Sequence, residues 1–331
     1  MEQNKGIGIA LICLFGVSVI SAFFVIILQA RESKPQERAA IQRSIMPTQT
    51  WKANSIAVLN IFSPIQYVSD DTTFPVRREG ALYWLDLLKT VEENPNINAL
   101  IIRINSPGGT IAATQEIYNQ ILRIREKGKT VVVSMGDLCA SGGYYIASAA
   151  DYIVANRGTL TGSIGVIMAG VDLSDLFKRY GIEYNVIKSG EFKDSGTFFR
   201  KMTPEERRLL ESVVMDAYNQ FFEDVASARD LSPSRLRPVA DGRILTARQA
   251  LDAGLIDELG DFQDTVRITA EKASIKDPEL IELRPDMKRM LRFFTANYDK
   301  LLKSESPSIN LIESPQILKD SFVPIMYMFT Y

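Results

Sequence analysis

The stretch NALIIRINSPGGTIAATQEIYNQILRIREKGKTVVVSMGDLCASGGYYIASAA, residues 98–150, decides the fold of this 331-residue chain. It contains two short apolar runs, 98–104 and 130–136, with a helix-like segment between them at 111–126. Apolar runs separated by helical patterns are typical of βαβ units, in which a crossover helix returns the chain so that the next strand lies parallel to the first. The stretch therefore predicts an α/β fold with a largely parallel sheet.

The same alternation continues on both sides of this stretch. Short apolar runs and helix-like segments follow one another, so the βαβ pattern is predicted for most of the chain. The further predicted strands are 55–62, 152–156 and 184–190, and the further predicted helices are 80–93, 142–150 and 173–180.

Two later helices have clear end signals. A long helix is predicted to begin in the segment TPEE (203–206) and to reach about Arg229, because threonine caps the segment, proline occupies the first turn and Glu206 completes a capping box. Residues 247–260, ARQALDAGLIDELG, predict a short helix, a glycine stop and an exit turn.

The chain has no histidine, 38 basic and 40 acidic residues, and two cysteines. The lack of histidine excludes Ser-His-Asp and Cys-His catalysis and every zinc site that needs imidazole. The net charge of −2 argues against a nucleic acid partner. Cys13 lies in an apolar stretch and Cys139 in the globular part, so neither a disulfide nor a metal site is predicted. We expect no cofactor, and proton transfer must then use a carboxylate, a lysine, a tyrosine or the backbone.

Residues 6–30 carry no formal charge and, at about 1.5 Å per residue, are long enough to cross a hydrocarbon core of about 30 Å. The stretch is longer than a signal-peptide core of roughly 7–15 residues, so it predicts an uncleaved single-pass anchor in membrane lipid, with a buried core helix as the alternative. Basic residues after the stretch favour a cytoplasmic globular part, but long domains cross membranes largely regardless of charge. The residues alone leave the orientation open.

Two glycine-rich segments follow predicted strands and could hold reactive groups. In SPGG (106–109), adjacent glycines leave backbone N–H groups open toward a reacting oxygen, as an oxyanion hole requires. A plain tight turn is the alternative. In CASGG (139–143), Ser141 opens a predicted helix, where free N–H groups favour developing negative charge. An ordinary N-cap serine is the alternative.

A serine nucleophile needs a base, and in a chain without histidine a lysine is the candidate. A lysine can accept a proton near neutral pH only where desolvation lowers its pKa from about 10.4. Lys188 and Lys193 both lie in VIKSGEFKDSG, where an apolar run meets a glycine loop. Reasoning from the residues does not choose between them.

In these segments the chain resembles the bacterial signal peptide peptidase A (SppA) family, in its short form with a single catalytic domain. The resemblance covers about residues 55–285 and implies the fold of the crotonase and Clp-protease superfamily, with repeated ββα and βαβ units. It rests on RINSPGG (103–109), SMGDLCASGGYYIASAAD (134–151), LTGSIGVIM (160–168), IKSGEFKD (187–194), ADGRILTARQA (240–250) and GLIDELG (254–260), in this order.

The resemblance implies a Ser-Lys dyad. Ser141 matches the family's nucleophile and Lys193 its general base, whereas Lys188 matches a non-catalytic lysine of the same motif. The other matched positions are Gly108 and Gly109 in the oxyanion hole and Ser163, which in the family hydrogen-bonds the catalytic lysine.

The resemblance also implies an activity and an organisation. Similar proteins are membrane-anchored serine endopeptidases that cut signal-peptide remnants and other apolar peptides after preprotein processing. They act on the extracytoplasmic side of the cell membrane as ring-like homo-oligomers, in which dyad partners can come from neighbouring subunits. A crotonase-type acyl-CoA enzyme and a non-catalytic membrane scaffold are the alternatives. The predicted parts are an anchor at 1–30, a linker at 31–54, a catalytic domain at 55–285 and an extension at 286–331.

The apolar end of the chain, FVPIMYMFTY (322–331), is unusual for a solvated tail. One hypothesis is that it docks in a peptide groove, which could be the active site of its own chain. The alternative is that it packs against a neighbouring subunit or another surface.

Overall fold

A computed structural model describes residues 52, 54–68 and 80–283, together with the backbone of a short strand at 326–328. The predicted anchor at 1–30 and most of the predicted linker lie outside the described residues. Between residues 52 and 283, as far as they are described, no helix is both long and apolar enough to cross a membrane.

Strands and helices alternate along most of the described chain. In chain order the elements are β1 (Ser55–Ile61), α1 (Ala81–Glu93), β2 (Ala99–Ser106), β3 (Gly108–Thr110), α2 (Ile111–Glu126), β4 (Thr130–Ala140), α3 (Gly142–Ser148), β5 (Tyr152–Ala155), β6 (Leu160–Gly162), α4 (Ser174–Arg179), α5 (Pro204–Ala228), α6 (Pro233–Leu236), a 3-10 turn (Arg237–Val239), β7 (Ile244–Thr246), α7 (Ala247–Asp252), β8 (Glu258–Leu259), α8 (Phe262–Lys272), β9 (Glu279–Glu282) and β10 (Met326–Met328).

The main sheet has the strand order β7-β6-β4-β2-β1-β9, and β5 joins it between β4 and β8. All neighbouring pairs in this sheet are parallel except β6 and β7, which confirms the predicted α/β fold with a largely parallel sheet. The strand β4 pairs with two strands on one side: its first half with β5 and its last residues, Leu138–Ala140, with β6. The ends of β2, β4 and β6 therefore lie next to one another.

The centre of the sheet is buried on both faces. Consecutive residues of β2 (99–102) and of β4 (131–133) are inaccessible to solvent. Unbroken burial, rather than alternation of buried and exposed residues, is typical of parallel strands covered by helices. Full burial of each such Leu, Ile or Val stabilises the fold by roughly 1.5–3 kcal/mol. The strand ends that hold the glycine-rich segments thus project from the most tightly packed part of the protein.

The predicted helix ends are confirmed in detail for α5 and α7. The Thr203 hydroxyl accepts a hydrogen bond from the Glu206 N–H at 3.2 Å, and the Glu206 carboxylate accepts one from the Thr203 N–H at 2.9 Å. This is the expected capping box. Beyond α7, Gly254 has a φ of +80°, a conformation that suits glycine and ends the helix as predicted.

The predicted strand at 184–190 is wrong. These residues have no regular secondary structure, and all of them are exposed, including Tyr184 and Ile187. The apolar residues in this run do not form a ladder with the sheet, because the chain leaves the sheet after β6 and returns to it only after α5. Apolar character alone therefore led to the wrong prediction of a strand at residues 184–190.

Candidate active site

The two glycine-rich segments lie side by side at the carboxyl ends of two central strands, β2 and β4. In the parallel ladder between β2 and β4, Ser106 is opposite Cys139. The helix α3 packs so closely on β2 that a Cβ added to Gly143 would lie 3.0 Å from the Ser106 carbonyl oxygen. The chain continuing from β2 and the chain continuing from β4 therefore meet, as the parallel fold predicts.

Ser141 has a strained backbone and is almost fully buried. Its φ of +53° and ψ of −118° lie in a region that residues other than glycine rarely adopt, at a cost of about 1–3 kcal/mol. The Ser141 N–H donates to the Gly162 carbonyl at 2.8 Å, which fixes this conformation. Its side chain makes no capping hydrogen bond to α3 and is 1% exposed. The interpretation of Ser141 as an ordinary N-cap is therefore wrong.

Ser163 lies next to Ser141 through the pairing of β4 with β6. Ala140 is opposite Gly162 in this ladder, so the residues that follow the two strands are neighbours. Ser163 also has a positive φ, +51°, and its N–H donates to the Arg243 carbonyl at 2.8 Å. Two serines with left-handed backbones thus stand at adjacent strand ends.

The SPGG segment joins the end of β2 to β3, which begins with its two glycines, so the interpretation as a plain tight turn is wrong. The Ile65 N–H donates to the Gly108 carbonyl and the Thr110 N–H to the Ile65 carbonyl, both at 2.8 Å. Alternate peptide groups of a strand point to opposite sides, so the Gly109 N–H faces away from Ile65. The Gly108 N–H is directed at the Ser106 hydroxyl at 3.2 Å, the long end of the range for such bonds.

Gly109 can only be glycine in this structure. A Cβ added there would lie 1.8 Å from the Ile65 carbonyl oxygen, far inside any real contact distance. The missing side chain lets the backbone of β3 pair closely on one side and leaves its other side open to a partner strand. These are the properties that an oxyanion-hole segment needs.

The end of the chain pairs with this open side. Strand β10 runs antiparallel to β3, with Tyr327 opposite Gly109 and Met328 opposite Gly108. This pairing agrees with the hypothesis that the apolar tail docks in a peptide groove of its own chain. The segment 326–328 therefore shows that β3 accepts an extended peptide backbone as an antiparallel strand.

The two candidate lysines differ in their surroundings. The Lys188 ammonium donates to the Asp194 carboxylate at 2.6 Å and to the Glu191 carbonyl at 2.7 Å. The side chain of Lys193 is exposed and, among the described residues, makes no ion pair or side-chain hydrogen bond. Lys188 is therefore held in place by its ion pair, whereas the amine of Lys193 has no such partner among the described residues.

Lys193 is not joined to Ser141 within the chain by any hydrogen bond among the described residues. Its loop is attached to the first turn of α5 through Arg200, which binds both Asp194 and Glu206. The last turns of α5 reach the helix α3, which follows Ser141, and there the Tyr145 hydroxyl donates to Asp224. The two attachment points are 224 − 206 = 18 residues apart, or about 27 Å along a helix that rises 1.5 Å per residue. The structure thus brings together Ser141, Ser163, Gly108 and Gly109, whereas the loop of Lys193 is attached at the end of α5 opposite to the contact with α3.

Two other groups that could compete for these roles are excluded by their position or charge state. Burial lowers the pKa of Lys129, but this lysine precedes β4 and Ser141 follows it. They are therefore about 40 Å apart along a strand that rises about 3.3 Å per residue. Burial raises the pKa of the Cys139 thiol, which keeps it protonated and unreactive. In the part of the chain that the structure describes, no cluster of three or more His, Cys, Asp or Glu residues could hold a metal ion.

The residues that anchor the lysine loop were not among the predicted site residues. Arg200 donates two hydrogen bonds to Asp194, at 2.8 and 3.1 Å, and contacts Glu206 as well. Glu206 was predicted only as part of the capping box. The one signal in the sequence was the combination of an acidic residue directly after Lys193 with an arginine shortly before that box.

The fold and the geometry of the site define a protein of the Clp-protease-like class. The model of the family described as Clp protease matches residues 72–168, which contain β2, β3, β4 and α3. The model described as Peptidase family S49 matches residues 123–276, which contain Ser141, Ser163 and Lys193.

Relatives extend this match to most of the chain. A Synechocystis protein named as a protease, slr0021, is 44% identical over 232 residues, which are 70% of this chain and 82% of the relative. A Methanocaldococcus jannaschii protein named as a protease, MJ0651, is 35% identical over 65% of this chain and 69% of its own length. An Enterococcus faecium protein named as a signal peptide peptidase SppA is 31% identical over 70% of this chain and 67% of its own length. The chain belongs to peptidase family S49 and is a protease.

Proposed function

We propose that this protease is a membrane-anchored serine endopeptidase in which Ser141 is the nucleophile and Lys193 of a second copy is the general base. The observation that carries the proposal is the position of Ser141. It is buried and held at a φ of +53° beside β3, on which a peptide strand is already paired. A strained residue at a strand end next to a peptide-binding strand is typical of a nucleophile held ready for reaction.

The pairing of β10 with β3 supports a peptide substrate. A helical peptide hides its carbonyl groups in its own hydrogen bonds, so it must become extended before a nucleophile can attack it. Strand addition to β3 gives an extended peptide a fixed register through main-chain hydrogen bonds. The scissile carbonyl would then lie near Ser141, with the Gly109 N–H, which faces the open side of β3, as a donor to the oxyanion. The Gly108 N–H would act as a second donor only after it leaves the Ser106 hydroxyl.

The exposed surface around Lys193 supports an oligomeric site. Every residue from 178 to 193 is exposed, and the first half of α5 is also largely open to solvent. Exposed apolar surface of this extent is typical of a protein–protein interface. A neighbouring copy that covered the surface would remove water from the Lys193 amine and so favour its neutral form. The exposed large hydrophobic residues of this region are Ile167, Val171, Leu176, Tyr180, Ile182, Tyr184, Val186, Ile187, Phe192, Met202, Leu209, Val213 and Met215.

The proposed mechanism uses only groups of this chain. The neutral amine of Lys193 accepts the proton of the Ser141 hydroxyl as its oxygen attacks the scissile carbonyl carbon. Lys193 then donates that proton to the leaving amine as the C–N bond breaks and an acyl-enzyme remains. Water, deprotonated by the same lysine, hydrolyses the ester and releases Ser141. Ser163 is proposed to orient the lysine from the neighbouring strand end.

The proposed substrates are signal-peptide remnants and other apolar peptides at the extracytoplasmic side of the cell membrane. The apolar residues 6–30 support a membrane location, since a segment of this length and composition can span a bilayer. The name of the Enterococcus faecium relative, signal peptide peptidase SppA, supports the substrate class. An anchored protease would meet apolar peptides where they leave the bilayer.

A serine-directed acylating probe tests the nucleophile. We expect the full-length protein to be labelled at Ser141 and the Ser141→Ala variant to be unlabelled. The matched control is Ser148→Ala, because Ser148 is a buried serine at the end of α3, the helix that follows Ser141, and its hydroxyl donates to the Tyr145 carbonyl at 2.7 Å. Labelling that persisted in Ser141→Ala, or an unlabelled but folded wild type, would favour the acyl-CoA enzyme or the scaffold instead.

A further inference from the structure

A negatively charged residue directly follows the proposed base. Asp194 is next to Lys193 in the chain, and its side chain is only 10% exposed. An unpaired carboxylate next to Lys193 would stabilise the ammonium form of the lysine and so oppose its action as a base. The structure shows what happens to this charge instead.

Two cations bind the Asp194 carboxylate. The Lys188 ammonium lies 2.6 Å from Oδ1, and the Arg200 guanidinium donates to both oxygens, at 2.8 and 3.1 Å. These contacts hold the pKa of Asp194 well below its usual range, so it stays ionised and paired with them. The two cations thereby compensate the negative charge that Asp194 would otherwise present to Lys193.

Arg200 also binds a second carboxylate, which belongs to α5. It donates to Glu206 Oε2 at 2.9 Å and contacts the other carboxylate oxygen as well. The Glu206 side chain is 3% exposed, and the same carboxylate caps α5 through the Thr203 N–H and accepts from the Ser195 hydroxyl at 3.3 Å. The guanidinium therefore joins the lysine loop to the first turn of the longest described helix.

We propose that Arg200 is a positioning residue for Lys193: it fixes the lysine loop on α5 and takes up the charge of Asp194, so that the Lys193 amine can act as a base. This inference rests on the proposed function, in which Lys193 accepts the proton of Ser141. The role requires a planar guanidinium group, since arginine alone among the cationic side chains can bind two carboxylates in one plane through paired N–H donors.

The Arg200→Gln variant of the full-length protein tests the inference. We expect kcat for an apolar peptide to fall at least about tenfold with little change in KM, because a displaced catalytic group slows the chemical step. We also expect the rising limb of the kcat–pH profile to move to higher pH. Asp194 would keep only Lys188 as a cationic partner among the described residues. Its less fully compensated charge would favour the ammonium form of Lys193, by an amount that corresponds to roughly half a pH unit to one unit.

Removal of the charge separates this effect from a structural one. In the double variant Arg200→Gln/Asp194→Asn, the limb is expected to return to its wild-type position, although kcat stays low. Arg200→Lys is expected to keep the limb in place and to recover part of kcat, since it retains the cation without the planar guanidinium group. The control is Arg267→Gln on α8, an exposed arginine 3.1 Å from Glu271 and outside the proposed interface, which should change neither quantity.

Three results would overturn the inference: an unchanged kcat in Arg200→Gln, a reduced kcat with an unmoved limb, or a shifted limb that the added Asp194→Asn does not restore. If Arg200→Gln does not assemble, Asp194→Asn alone decides. It should move the limb to lower pH, because it removes the carboxylate and keeps the Lys188 and Arg200 cations, and a shift to higher pH would contradict the proposed role of the charge. These results are distinct from a failure of the proposed function, which would appear as peptide cleavage by Lys193→Met or Ser141→Ala.

Discussion

The candidate site is divided between two regions of opposite character. The strand-end region, formed where β2, β4 and β6 end, is buried and strained, and hydrogen bonds between neighbouring strands fix it. The lysine region, residues 178–203, is largely exposed and is held mainly by contacts with its own neighbours, such as the stacking of Tyr184 on Phe199 at 3.9 Å. If the proposed mechanism is correct, one chain completes only the half of the site that binds the peptide and attacks it. The half that would accept the proton faces outward, where a second copy could use it.

Mixed oligomers give the largest expected effect, and they test whether the serine of one copy acts with the lysine of another. Ser141→Ala and Lys193→Met should each lower kcat by at least about 10³-fold. When the two variants are assembled together, an intact serine of one copy meets an intact lysine of another. About one quarter of the wild-type activity should then return if the interfaces form a closed ring.

The control for this experiment is co-assembly of Ser141→Ala with the double variant Ser141→Ala/Lys193→Met, which has no intact serine and should stay inactive. Full assembly of the first mixture, shown by size, without any recovered cleavage would contradict a dyad shared between copies.

A substitution at Gly109 sharpens the description of the strand-end region. Gly109→Ala should lower kcat by about 10²-fold or more and also lower the free energy of unfolding, because the new Cβ would clash with the Ile65 carbonyl 1.8 Å away. Peptide kinetics and urea unfolding measure the two effects. Gly158→Ala is the control, since nothing lies within 4 Å of the position of its Cβ. Normal activity in Gly109→Ala would show that β3 does not bind the reacting group.

The pH dependence of stability tests how the lysine region is attached. The Arg200 guanidinium lowers the pKa of Glu206 from 4.5 to about 2. A carboxyl group whose pKa falls on folding stabilises the protein above its ordinary pKa, and this contribution is lost as the pH falls toward 2. Glu206→Gln should therefore lower the free energy of unfolding by roughly 1–3 kcal/mol at pH 7 and by much less near pH 2–3.

Urea unfolding at several pH values measures this difference between wild type and Glu206→Gln. The matched control is Glu205→Gln, which removes a neighbouring glutamate whose partner Arg208 is exposed. A difference that did not change with pH would mean that the ion pair with Arg200 does not stabilise the fold.

The tail gives the smallest expected effect. If β10 occupies the peptide-binding side of β3, replacing residues 322–331 with a Gly/Ser tail of equal length should raise the cleavage rate only a few-fold, because a tethered strand reduces the fraction of open sites. The replacement should also change the protection of the protein from self-cleavage. An unchanged cleavage rate together with unchanged protection from self-cleavage would show that the tail has no role at the site.

The sequence predicted the strand-end region well, because its signals are local. The buried runs of β2 and β4 differ from their surroundings in apolar content, and the capping box of α5 is visible in four residues. The meeting of SPGG with CASGG then follows from parallel strand order alone. The strain at Ser141 was not predictable, because a φ of +53° results from the hydrogen bond to Gly162, 21 residues further along the chain.

The lysine region could not be predicted in the same way. Its apolar run at 184–190 has the composition of a buried strand, yet it finds no neighbour in the sheet. The network of Arg200 with Asp194 and Glu206 depends on how a loop folds back on a helix, which leaves no periodic pattern. The pairing of β10 with β3 joins residues more than 200 positions apart. Long-range contacts without a local signal are what sequence patterns miss.

The length of α5 has a consequence for any assembly of this protein. One end of this 25-residue helix holds the lysine loop and the other end contacts α3. In the proposed oligomer, the helix would therefore be a spacer of fixed length between successive reaction centres. Inserting or removing a single turn of α5 would move the Lys193 amine by about 5.4 Å relative to α3 and would leave the sheet unchanged. Relatives with a longer or shorter helix here would have to differ in the number or the tilt of their subunits.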